Sequence, residues 1–86
     1  MVSTIRTFGP NAAEATTCRI NITAVTGTRA PSGFEAAAWR IDGDKERQVL
    51  GAAGTALEIV AEDAADTEEL MISALERRYG RRRPVS

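Results

Sequence analysis

Between residues 17 and 25 the side chains alternate. Cys18, Ile20, Ile22 and Ala24 share one parity, and Arg19, Asn21 and Thr23 the other. That period is the mark of a strand with one face on a core and one in water. Residues 1–8, rich in Thr and Ile, read as a short strand stopped by Gly9-Pro10-Asn11, where proline presets φ and the neighbours tolerate turn angles. Residues 34–41 are extended again, with apolar groups on both parities. Phe34, Ala36 and Ala38 lie on one and Ala37, Trp39 and Ile41 on the other, so this strand is expected to be covered on two faces.

Asp42-Gly43 is a strong hairpin signal, expected as the centre of a type I′ turn returning residues 45–50 as a charged edge strand. After Gly51-Ala52-Ala53-Gly54, residues 55–62 satisfy both a strand and a helix pattern. The adjacent β-branched Ile59 and Val60 decide for strand. The last element is a helix, expected to be capped by Asp66, with Glu68 and Glu69 at its positive end, Arg77 and Arg78 at its negative end and Gly80 as its stop. Leu70, Met71, Ala74 and Leu75 form its expected apolar stripe, widened by Ile72 and Tyr79. The fold class that follows is α+β: a four- to five-stranded antiparallel meander sheet with one C-terminal helix packed on one face. Residues 1–80 form a single domain, and residues 81–86 are expected as a disordered basic tail.

Composition adds a constraint. Leu, Ile, Val and Phe number 17 in 86 residues while Ala numbers 15, and alanines bring elements close without burying much. So small a core favours association, and a homodimer or larger assembly is expected. A lone cysteine, an N-terminus without the basic-then-apolar pattern of a secretory signal and the absence of any long apolar run point to a cytoplasmic protein with no membrane partner. The tenfold excess of Arg over Lys, with the alanine content, points to a GC-rich bacterial source.

The net charge of −1 hides segregation: residues 48–76 hold seven acidic groups and no basic one, and residues 77–86 hold five arginines. Blocks of one sign are solvated faces or tails, or they specify a partner or a neighbouring copy.

Catalytic chemistry is scarce. Without histidine the chain lacks the commonest general base and metal ligand, and Cys18 reads as a small apolar filler. Asp42, Asp44 and Glu46 alternate, but Gly43 stands too early and Ala53 occupies the place of the late bidentate glutamate, so no calcium loop is expected. Asn21-Ile22-Thr23 matches a glycosylation acceptor that has no secretory route. Glu58, Glu62, Asp63, Asp66, Glu68 and Glu69 crowd one region, and two of them are taken by the helix start. No catalytic residue, metal site or cofactor is expected.

The segments Leu50-Gly51, Gly54-Thr55, Leu57-Glu58-Ile59 and Ala61-Glu62, followed by the helix, resemble the closing strand and helix of bacterial phosphocarrier proteins of sugar transport over about the last third of the chain. Those proteins act through a phosphorylated histidine in a Gly-Leu-His loop. This chain has none, so no role is carried over.

The expected function is a non-enzymatic protein-protein interaction module. Trp39 is the side chain type most enriched at binding hot spots, and with it Ile41, Phe34 and the loop residues Arg29 and Pro31 form the expected contact set. The alternative is a nucleic-acid-binding accessory protein using Arg77, Arg78, Arg81, Arg82 and Arg83, with Tyr79 to stack on bases. A third arrangement lays the arginine tail along the acidic helix start of another copy.

Overall fold

A computed structural model describes residues 2–25 and 33–83. Five strands, β1 (Val2–Phe8), β2 (Thr16–Val25), β3 (Gly33–Asp42), β4 (Lys45–Gln48) and β5 (Glu58–Ala61), precede one helix, α1 (Ala64–Tyr79). The sheet is antiparallel in the order β1-β2-β3-β4, with β5 also paired to β3. A single 3₁₀ turn, Ala12–Glu14, joins β1 to β2, and the Glu14 amide donates to the Asn11 side chain at its start.

The edge beside β3 is one strand line broken in the middle. Trp39 to Asp42 pair with β4 and Phe34 to Ala37 with β5. At the junction the Val49 amide donates to Ala38 O and the Leu57 amide to Val49 O. Residues 50–56 therefore leave the sheet as a small excursion, closed by the Leu50–Ala56 bridge and the Gly51 amide on Thr55 O, and return to the same line. A simple meander would have set β5 outside β4.

At the β3–β4 hairpin the central residues are Gly43 and Asp44, since Asp42 pairs with Lys45. Only Gly43 has positive φ (66°). This is the type II′ pattern rather than the expected I′ turn, with the glycine moved from second to first central place.

α1 lies on one face of the sheet. Its cap is Asp63, whose carboxylate accepts from the Asp66 amide (2.7 Å), so the helix starts one turn before the Asp66 expected from sequence. Thr67, Met71, Ile72 and Leu75 are its buried positions, and Leu70, expected on the apolar stripe, is 50% exposed. The stripe is centred on the line through Thr67, Met71 and Leu75; Leu70 lies about 100° to one side of it. The buried Thr67 hydroxyl donates to Asp63 O (2.7 Å), which removes the cost of placing it there. Gly80 ends the helix at φ 106°, its amide on Glu76 O.

Opposite the helix stripe the even-numbered residues of β2 and β3, Cys18, Ile20, Ile22, Ala36 and Ala38, are buried together with Phe8 and Val49. Burial pushes the Cys18 thiol up to about 11, the nearby Arg40 charge opposing it weakly, so the thiol is neutral and acts as filler.

Arg81, Arg82 and Arg83, expected as part of a disordered tail, instead run along the outer edge of β1. The Gly9 amide donates to Arg81 O, the Arg83 amide to Thr7 O, and Phe8 and Arg82 form a bridge. Residues 84–86 lie outside the described residues.

Candidate functional site: the open face of the sheet

The face of the sheet turned away from α1 is built by the opposite parity of each strand. Strand pairing aligns Ile5, Arg19, Trp39 and Gln48 in one row, and Thr7, Thr17, Ile41 and Glu46 in the next. On the other side of the Trp39 row stand Ser3, Asn21, Ala37 and Glu58, then Thr23, Glu35 and Val60. Among the described residues α1 is the one helix, and it packs on the opposite face of the sheet, so these rows carry no helix. Trp39 is partly shielded by its neighbours on the sheet, while Ile5 and Val60 stand 53% and 66% exposed.

Polar groups on this face are arranged in pairs. The Arg19 guanidinium reaches diagonally to Glu46, N to O at 3.2 Å, and the Ser3 hydroxyl donates to Asn21 (2.6 Å). The result is a mixed surface: an indole and two isoleucines interleaved with one ion pair and several amide and hydroxyl groups.

The expected contact residues are not all brought together. Trp39 and Ile41 share the open face. Phe34 has the other parity and packs against the core beneath α1. Arg29 and Pro31 lie outside the described residues. Ile5 and Val60, which the sequence reading passed over, belong with Trp39; their signal was cross-strand register, which only strand order reveals.

The five arginines of the nucleic-acid alternative do not form one patch. Arg77 and Arg78 are exposed at the end of α1, beside a shallow cleft of about 360 Å³ lined by Gly51, Ala52, Leu57 and Ala74. Arg82 instead binds Glu69 and Glu76, and Tyr79 packs on the core rather than offering a ring to bases. Through Arg82 the tail thus meets Glu69 and Glu76 of α1 within the same chain. A second cleft, about 430 Å³, lies between Arg6, Glu68, Glu69, Ile72, Arg82 and Arg83. It is crossed by the Arg6–Glu68 and Arg82–Glu69 ion pairs.

The carboxylates here are poor general acids. Hydrogen bonds from Arg82 hold Glu69 and Glu76 below the ordinary glutamate range, the opposite of the upward shift acid catalysis needs at neutral pH. Asp66 is raised, chiefly by the charge of neighbouring Asp63, but both are exposed and neither lines either of these two clefts. Among the same residues no group of three or more His, Cys, Asp or Glu side chains is placed to hold a metal ion, and no helix is long and apolar enough to cross a membrane.

No family model, no curated protein and no solved structure matches this chain.

Proposed function

We propose that the chain is a non-enzymatic, cytoplasmic interaction module that self-associates through the open face of its sheet, with Trp39 as the anchor. The observation that carries this reading is the position of Trp39: the largest apolar side chain of the chain sits in the middle of the sheet face that α1 does not cover. The core explains why a partner helps. Among the described residues ten apolar side chains are buried, two of them alanines and one a cysteine, which is little for a stable domain of this size.

On this face Arg19 and Glu46 sit side by side, and a second copy related by a two-fold axis between them sets each against its opposite, while Glu35 and Glu58 stand in rows on the far side of Trp39. A nucleic acid has less to hold, since among the described residues Glu35, Glu46 and Glu58 face the same way as Arg19 and repel phosphate.

Sedimentation of Trp39→Ala and Ile5→Arg beside the unaltered chain tests the reading. Ile5 is half exposed and takes a charge without disturbing the core, so this variant should keep its circular dichroism while losing mass. If both variants keep the fold and the subunit number of the parent, the open face is not the contact.

A further inference from the structure

The outer flank of α1 carries a pattern that the core does not use. Asp63, Asp66, Leu70, Ser73 and Arg77 follow at alternating intervals of three and four residues. That spacing keeps side chains in one line and lets two helices pack along it. The line starts acidic, is apolar and small in the middle and ends basic at Arg77; Arg78 is turned about 100° around the helix, beside the cleft that Gly51, Ala52 and Leu57 line. Asp63, Asp66, Leu70, Arg77 and Arg78 are all exposed.

The two flanks of the helix differ in how their charges are satisfied. On the flank towards β1, Glu68 pairs with Arg6, and Glu69 and Glu76 with Arg82. Among the described residues no ion pair involves Asp63, Asp66, Arg77 or Arg78. Asp63 also pushes the Asp66 carboxyl up, a repulsion that an added cation relieves. Leu70 stands 50% exposed between these acidic and basic ends.

We propose that this flank is a second homotypic surface, on which α1 packs antiparallel against α1 of another copy, Leu70 near the two-fold axis and the acidic start of each helix against Arg77 of the other. Antiparallel is the orientation the charges allow, since a parallel pair sets like against like. From Asp66 to Arg77 the helix rises about 16 Å, so both charge contacts form at once around a centre near Leu70 and Ser73. Ser73 and the adjacent Ala74 are small enough to let the helices approach. This contact lies on the opposite layer from the open sheet face and stands on different residues. Two isologous contacts per chain build an assembly larger than a dimer.

The test is charge reversal followed by mixing, read by sedimentation at low salt. Asp66→Lys cancels the negative charge at the start of the line, where Asp63 remains, and Arg77→Glu makes the line acidic at both ends. In a Trp39→Ala background, where only the helix contact remains, each reversed variant should be a single chain and the equimolar mixture a dimer. In the otherwise unaltered chain each reversal should leave a dimer held by the sheet face alone. The helix proposal is overturned if the reversed variants keep the mass of their background, or if the mixture stays as small as its parts. Failure of the sheet-face reading looks different: Trp39→Ala alone then leaves the parental mass unchanged.

Discussion

The two faces of the sheet are made by the same strands and differ only in parity, yet one is finished and the other is not. On the covered face Ile20, Ala36 and Ala38 are fully buried under Met71 and Leu75. On the open face the indole of Trp39 is only partly buried, and Ile5 and Val60 stand mostly in water. The difference teaches where the chain spends its few large apolar groups. One helix covers one face, and the rest are left where another molecule can reach them.

If that division is right, substitutions on the two faces fail in different ways. Ile20→Ala empties a fully buried site and should cost about 3 kcal/mol of folding stability, seen as an earlier urea midpoint; a loss below about 1 kcal/mol would mean that the core is not where we place it. Trp39→Ala should cost about 2 kcal/mol of association, roughly 30-fold in Kd, with a smaller effect on the unfolding of dilute single chains. The reverse result, lost folding with intact association, would make Trp39 a core residue.

A smaller effect tests the edge. Gly80 has φ 106° and a Cβ there would stand 3.2 Å from the Gly9 Cα. Gly80→Ala should therefore cost about 1–2 kcal/mol by strain alone, measured by thermal melting. The smallest effect is electrostatic. Glu69 and Glu76 are held down by hydrogen bonds from Arg82, so their contribution is complete above the ordinary glutamate pKa and fades as pH falls through the lower folded values. As pH falls, the protection of the Gly9 amide, which is bonded to Arg81 O, against its intrinsic exchange rate should then drop relative to that of β2 amides. Arg82→Ala should abolish that extra pH dependence, and its persistence would remove the ion pairs from the account.

Most of the fold was legible because it rests on local period. The alternation from Cys18 to Ala24 and the helix ending at Gly80 needed no tertiary information. The collinear β4 and β5 did, because leaving a strand at Val49 and rejoining it at Leu57 is a matter of register rather than pattern. The true cap was legible in principle: Asp63 stands three residues before the amide it accepts, but Asp66, followed by two glutamates, carried the stronger charge signal. Leu70 was misplaced because the neighbouring pairs Leu70-Met71 and Ala74-Leu75 fit two stripes, and the buried polar Thr67, which settles the choice, reads as surface. The run from Arg81 to Arg83 hid its edge pairing, since side chains say nothing of which backbone groups β1 leaves unpaired. For the candidate site, Trp39 and Ile41 were found by parity, Phe34 was grouped across the sheet with residues it does not meet, and Ile5 and Val60 required strand order.

Because the chain has one tryptophan, its emission reports the centre of the proposed contact and nothing else. The decisive measurement is fluorescence of the unaltered protein diluted across the range in which sedimentation shows it dissociating. A red shift of emission in step with the loss of mass is the predicted result, as the indole moves from a neighbour's surface into water. An emission maximum that ignores concentration while the mass falls would place Trp39 outside every interface and contradict the account.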